Sequence, residues 1–341
     1  MSCHSTYRKQ QIQRFSCAAA LGVLAFCLGI ADLACGTSDL TLSQIISAIL
    51  EQNDSAAGLI LLQIRLPMTL CAASVGASLG LAGLLIQTIT ANPLASPSTL
   101  GITSGASFGA ALSITLGFNI AGELWAGTVI SAFAVALLIS AVILSLGRIK
   151  GMTPTTIVLS GIVMNFFFMS LEQLLVYLAS PEVGQLINGW TFGNLERSSF
   201  LASSVALAAL ALGACTVIPH VWDLTALTMG EERALSLGVA VTRLRFLAFS
   251  VSALLIAAAV SFIGTIAFIG LVSPHCARMM LGDDQRYLFP GTIFIGMGFM
   301  LCASIIAKII STGAMLPVGI VTSMVGAPFL FVLLLKTRQT M

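Results

Sequence analysis

The sequence predicts an all-α polytopic membrane protein, and three observations carry that prediction. Hydrophobic residues make up 57% of the 341-residue chain and charged residues only 8%, with a mean hydropathy of +1.03. A soluble domain of this length needs more polar surface. Apolar runs recur along the chain, roughly at 15–36, 58–90, 97–118, 122–146, 154–179, 200–219, 244–264, 265–281, 289–312 and 316–335, which makes ten candidate spans. The cations are also asymmetric. With both termini in the cytoplasm, Arg8, Lys9, Arg14, Arg148, Lys150, Arg233, Arg243, Arg245, Arg278, Arg286, Lys336 and Arg338 fall inside, and only Arg65, Arg197 and Lys308 outside, as the positive-inside rule requires. Residues 1–341 read as a single transmembrane domain.

The first run follows Arg8, Lys9 and Arg14 and is longer than a signal-peptide core. Asp32, three residues before Cys35, argues against a lipoprotein cleavage site, so this span is expected to be retained. The second run is over-long, and Pro67 is expected to break it near its outer end. Gly76-x-x-x-Gly80 precedes Gly101, Gly105 and Gly109 at i, i+4, i+8. Small residues on one face let helices approach closely, so spans 2 and 3 should lie inside a bundle. The eighth run is short and interrupted by Pro274, His275 and Arg278, but removing it would place Lys336 and Arg338 outside. Arg65-Leu66 opens a run reaching Ser96-Pro97, and Arg243-Leu244 opens another reaching Ser273-Pro274. Spans 2–5 and 7–10 would then form an inverted repeat, as in many transporters.

Between spans 6 and 7 lies a cytoplasmic loop, 220–243, that holds the most charged short window of the chain, Thr228-Met229-Gly230-Glu231-Glu232-Arg233-Ala234-Leu235-Ser236-Leu237-Gly238. Thr228 and Glu231 have capping-box spacing, and Gly238 stands where a left-handed residue closes a helix. These signals predict a helix of about two and a half turns outside the membrane. Met229, Ala234 and Leu237 share one side, with Glu232 and Ser236 nearly opposite. Two readings fit: an ordinary solvated helix, and a seat for a soluble partner.

Catalytic patterns are lacking. His4, His220 and His275 are far apart, and the eight cysteines form no C-x-x-C, so no metal site, cofactor or enzymatic activity is assigned to the chain. The sequence holds no Walker A loop for ATP. A net charge of +2 does not suggest nucleic acid. Asp283-Asp284 beside Arg286 reads as a solvated loop. Glu172, within the fifth span, either reaches water at a cavity mouth or couples transport to an ion. Arg65 and Lys308 sit at outer span ends amid Asp39, Glu51, Asp54, Glu123, Glu182 and Glu196. They read either as interfacial cations reaching toward headgroups or as a docking pair for acids on an outer partner.

From about residue 60 to 336 the chain resembles the permease subunits of type II ABC importers for ferric siderophores, haem and cobalamin. The likeness is carried by Arg65-Leu66-Pro67, Gln87 through Asn92-Pro93-Leu94-Ala95-Ser96-Pro97, Leu100-Gly101-Ile102-x-Ser104-Gly105 and Trp190-x-x-Gly193-x-Leu195. It continues through Gly230-Glu231-Glu232-Arg233-Ala234-x-x-Leu237-Gly238, Phe268-Ile269-Gly270-Leu271-Val272-x-Pro274-His275-x-x-Arg278, Leu316-Pro317-Val318-Gly319 and Gly326-Ala327-Pro328. The resemblance implies an inner-membrane permease of ten helices that pairs with a second permease, itself or a paralogue. Two copies of an ATPase subunit, using ATP-Mg, would sit beneath, and a periplasmic or lipid-anchored binding protein would deliver the cargo from above. It implies an iron chelate as cargo, ferric siderophore first, with haem or cobalamin as alternatives. A secondary transporter coupled through Glu172 is the alternative of another class.

By the same likeness, Thr228, Gly230, Glu231, Glu232, Arg233, Ala234, Leu237 and Gly238 form the ATPase-coupling helix. Asn92 and Leu94 resemble an inner gate, with Thr153, Thr155 and Thr156 near a second constriction; ordinary turn and cap chemistry is the other reading of these residues. Arg65 and Lys308 resemble residues that pair with glutamates of the binding protein. Pro274, His275 and Arg278 form an inner-face motif of packing and coupling. The chain departs from the pattern at Met68, where a second arginine is common.

Overall fold

The computed structural model describes residues 3–36, 56–120, 122–311 and 315–337; Asp39, Glu51, Asp54 and Arg338 lie outside them. Among the described residues the structure is helical, with one isolated bridge between Ile120 and Glu123. In chain order the helices are α1 (Cys3–Ala34), α2 (Leu66–Thr90), α3 (Ile102–Leu116), α4 (Leu124–Lys150), α5 (Pro154–Leu178) and α6 (Pro181–Thr191). Next come α7 (Phe200–Val217), α8 (Val221–Thr228), α9 (Glu231–Ser236), α10 (Val241–Ile263), α11 (Ile269–Leu281), α12 (Gln285–Ile310) and α13 (Val318–Thr337).

Each expected span coincides with a helix. Among the described residues, seven helical stretches are long and apolar enough to cross a bilayer: those containing α1, α2, α4, α5, α7, α10 and α12. The other three expected spans, α3, α11 and α13, are shorter in their apolar part. At 13 residues, α11 extends only about 20 Å, against a hydrocarbon thickness of about 30 Å. The non-helical stretch before it, 264–268, is held by protein rather than lipid: the Thr265 hydroxyl donates to the Thr191 carbonyl, and Asn194 N–H to the Ile263 carbonyl at 2.8 Å. Irregular backbone at membrane depth requires such partners.

Helix α2 is the axis of the bundle, with α7, α10, α11 and α12 packed around it and nearly every side chain buried. Small residues make this possible. Gly76 faces Gly296 of α12, and a Cβ on either would collide with the other's carbonyl. Gly83 crosses Gly270 of α11 more tightly still, its missing Cβ pointing into the Gly270 carbonyl. The expectation that spans 2 and 3 are interior therefore holds, with most of α3 buried as well.

Pro67 does not break the second span. The chain is already helical from Ala56, and residues Ile60–Arg65 widen into a π-helix, with Leu66 N–H bonded to the Leu61 carbonyl five residues back. The wide turn absorbs the N–H that proline lacks, so the axis continues into α2. Ser96-Pro97 and Ser273-Pro274 also differ locally. Pro97 opens a 3₁₀ turn, whereas Pro274 lies inside α11.

Candidate coupling and gate site

On the face that the charge pattern places in the cytoplasm, a cavity of about 330 Å³ is lined by Gln87 and Asn92 at the end of α2, Thr228 and Glu231 of the loop, Arg245 of α10 and Arg278 of α11. Of the residues expected to couple, to gate and to form the inner-face motif, Thr228, Gly230 and Glu231, Asn92, and Arg278 share one space, whereas Leu94, Thr153, Thr155, Thr156, Pro274 and His275 do not line it. Three further observations explain how they are held.

The charged window is built differently from the expected capped helix. Thr228 ends α8, and its hydroxyl donates to the Thr225 carbonyl at 2.7 Å rather than capping α9. Gly230 stands at the N-cap of α9 with φ +111 and no side-chain cap. The capping box is absent because Glu231 is drawn elsewhere, and the helix is six residues long, not two and a half turns. Its C-terminus is as expected: with Gly238 at φ +83, Gly238 N–H bonds the Leu235 carbonyl and Val239 N–H the Ala234 carbonyl, a Schellman closure. Of the side foreseen as apolar only Ala234 is buried; Met229 and Leu237 are exposed, as are Leu235, Glu232, Arg233 and Ser236. The element therefore offers a mixed apolar and charged surface outward and is anchored through Ala234.

Arg245, only 3% exposed, is the hub of the site. Its Nη1 and Nη2 donate to Glu231 Oε1 and Oε2 at 3.2 and 2.7 Å, its Nε to the Ile89 carbonyl at 3.2 Å, and Nη1 also to the Met152 carbonyl at 3.3 Å. Ile89 lies in the last turn of α2, where carbonyls lack helical partners, and Met152 immediately precedes Thr153. A buried guanidinium is tolerated because its donors are matched by a carboxylate and two carbonyls. Hydrogen bonds from Arg245 hold the Glu231 carboxyl below the usual carboxylate range, with burial working against them. Sequence reading missed this arginine; the available signal was a charge within the first turn of a long apolar span.

The gate candidates form local turns. Ala91 caps α2 in the left-handed conformation, φ +48, which is costly for a residue with a Cβ. Asn92 Oδ1 accepts Leu94 N–H at 2.9 Å, and Leu94 is exposed. Thr153 caps α5 by accepting Thr156 N–H at 3.1 Å, the two hydroxyls lie 2.9 Å apart, and Thr155 is exposed. Arg278 links α11 to α2 through Gln87 Oε1 at 3.2 Å and pairs with Asp283 at 3.0 Å, while Pro274 is buried and His275 half-buried. The Asp283-Asp284 segment is therefore not merely a solvated loop. Asp284 accepts Arg286 N–H at the start of α12 and pairs with the Arg286 guanidinium at 2.6 Å; although burial opposes its ionisation, these bonds hold its carboxyl below the usual range.

At the opposite end, Arg65 and Lys308 do not project from a rim. Arg65 Nη1 donates to the Leu33 and Ala34 carbonyls at 3.1 and 2.9 Å, closing the C-terminus of α1. Lys308 Nζ pairs with Asp32 Oδ2 at 2.8 Å and donates to the Asp32 carbonyl at 2.9 Å, and Thr69 donates its hydroxyl to the same carboxylate. Asp32 is fully buried. Both cations line a cavity of about 440 Å³ at this end of the bundle with Met68 and Glu196. Glu172 accepts the Thr191 hydroxyl at 2.9 Å, and Ser107 lies 3.2 Å from that hydroxyl.

The described helices form an apolar bundle able to cross a membrane, with a loop helix tied through Arg245 to the end of its central span, the architecture of a polytopic membrane protein. The sequence matches the FecCD transport family over residues 23–336, and the chain belongs to that family. It is a multi-pass inner-membrane protein, and the family is one of ABC-transporter transmembrane subunits rather than ATPases. Similar proteins include a probable iron chelatin transport system permease protein of Helicobacter pylori, 39% identical over 83% of this chain and 85% of that one. A cobalamin import system permease protein of Halobacterium salinarum is 36% identical over 81% and 73% respectively. Among solved structures, a metal-chelate type ABC transporter in an inward-facing conformation aligns over 95% of this chain and 99% of its own, with a TM-score of 0.81 and 28% identity.

Proposed function

We propose that this chain is the permease subunit of an ATP-driven importer of an iron chelate, ferric siderophore in the first place, working with two copies of an ATPase subunit, a second permease and an outer binding protein. In this reading it crosses the membrane ten times with both termini in the cytoplasm, and the loop 220–243 receives the ATPase. The observation that carries the reading is the shared cavity, where Glu231 of the loop helix is bound through Arg245 to the backbone just before Asn92 and Thr153. A push on α9 from the ATPase would reach both constrictions through a single buried side chain. The exposed mixture of Glu232, Arg233, Leu235 and Leu237 suits a protein groove better than it suits lipid or water alone. The relatives named for iron chelatin and cobalamin support a chelated metal as cargo.

The test is reconstitution. Chelate should accumulate in liposomes only when the ATPase subunits and ATP are present, and Glu232→Ala with Arg233→Ala should abolish accumulation while leaving the protein inserted and folded. Accumulation by this chain with no nucleotide-hydrolysing partner would overturn the proposal.

A further inference from the structure

Away from this site, a groove of about 560 Å³ opens between the ends of α4 and α7 that adjoin the coupling face, with α10 as its floor. Its lining is mixed. Arg148 of α4 and Arg243 of α10 are its charged residues and Leu144, Phe246, Leu247 and Val251 its apolar ones, while Thr216 and Ser250 turn their hydroxyls back to the Leu212 and Phe246 carbonyls of their own helices. From Arg243 to Val251 the floor runs about 12 Å along the helix. No carboxylate lines the groove, both arginines are exposed, and among the described residues neither has an ion-pair or hydrogen-bond partner.

Two unneutralised guanidinium groups around one opening repel each other and call for an anion; an apolar floor calls for hydrocarbon. A free phosphate satisfies only the first demand and an uncharged lipid only the second. We propose that the groove binds an anionic phospholipid of the inner leaflet, with its phosphate between Arg148 and Arg243 and an acyl chain along α10. Basic pockets between spans at the cytoplasmic surface have the chemistry for such headgroups. Arg243 lies two residues before Arg245, so a bound lipid steadies the same turn of α10 that holds Glu231. The site depends on the inward placement of these helix ends and not on the identity of the cargo.

The experiment uses the purified, delipidated full-length chain with phosphatidylglycerol and phosphatidylcholine as probes, read by native mass spectrometry. Phosphatidylglycerol should be retained and phosphatidylcholine not, and Arg148→Gln with Arg243→Gln should weaken retention about thirtyfold. Equal retention by the wild type and the double variant would overturn the proposal. So would glycerol phosphate competing as well as the intact lipid, which would assign the groove to a free anion. A photo-crosslinking residue at Leu247, activated in native membranes, should attach to phospholipid; attachment to a protein would show a partner's helix there and overturn the lipid assignment.

Discussion

Arg245 grips Glu231 with both terminal nitrogens while its Nε holds the Ile89 carbonyl, so one side chain joins the loop helix to the end of the central span. The arrangement is not symmetric in charge. Position 245 faces two carbonyls as well as a carboxylate and needs a donor, whereas position 231 is half open to water.

Exchanging the two residues should therefore fail. Glu231→Arg combined with Arg245→Glu places a buried carboxylate against the Ile89 and Met152 carbonyls, and uptake should be lower than with either single change. Arg245→Lys keeps the charge but loses the fork, and should retain part of the uptake with ATP hydrolysis by the complex nearly intact. Side-by-side measurement of uptake and hydrolysis in proteoliposomes checks both outcomes. Full activity in the exchanged protein would show that only the ion pair matters and not the carbonyl contacts.

The same pair sets a pH dependence. Glu231 has a carboxyl pKa below its ordinary value because of the Arg245 hydrogen bonds. A depressed folded pKa means the stabilisation is fully present above the unfolded value and is lost as pH falls through the folded one. The protection of segment 228–238 against hydrogen exchange, taken relative to the intrinsic amide rate at each pH, should therefore be constant at neutral pH and fall only in acid, below the usual glutamate range. Glu231→Gln should show low protection at all pH values and no such transition.

At the end of the bundle away from the loop helix, Asp32 and Lys308 fasten α1 to α12 in a nearly dry setting, with 0% and 6% of their side chains exposed. Removing one partner leaves an uncompensated buried charge, a loss of about 3–5 kcal/mol, whereas removing both is far milder. Lys308→Met should lower the thermal unfolding midpoint sharply, and Asp32→Asn with Lys308→Met should recover most of it. If Lys308 acts instead as an exposed docking charge, the single change will leave the midpoint alone and weaken only binding-protein affinity.

How much of this was legible in the sequence depends on how local each feature is. Apolar runs report helical segments directly, so every expected span found a helix. The Gly76-x-x-x-Gly80 spacing correctly pointed to a close interface because helix periodicity is local. The capping box was wrong because Glu231 has a stronger partner fourteen residues on, and no local pattern shows that Arg245 turns back toward it. Arg65 and Lys308 were read as outward-reaching cations, but their acceptors belong to α1, remote in sequence. Pro67 misled because a π-helical turn can absorb a missing N–H.

The tightest crossing was illegible for the same reason: Gly83 belongs to no motif, yet its absent Cβ points into the Gly270 carbonyl. That contact is backbone against backbone, and no side chain can move aside. Gly83→Ala should separate α2 from α11 and cost at least the 1–3 kcal/mol typical of an overpacked core, read as a drop in the unfolding midpoint. Gly189→Ala, where nothing lies within 4 Å of the added methyl, serves as the control and should be close to neutral.

Glu172 separates the two classes of transport. Its carboxylate takes the Thr191 hydroxyl, with Ser107 beside it, so a neutral amide can keep that hydrogen bond through its own oxygen. If transport is driven by ATP from below, Glu172→Gln should leave uptake by the complete complex within about twofold of wild type, a stability-sized effect for replacing one polar partner by another. An imposed proton or sodium gradient should change neither protein. A carboxylate that carries the coupling ion cannot be replaced by an amide that does not ionise. Collapse of gradient-driven uptake in the variant would therefore transfer the energy source from the partner ATPase to this glutamate.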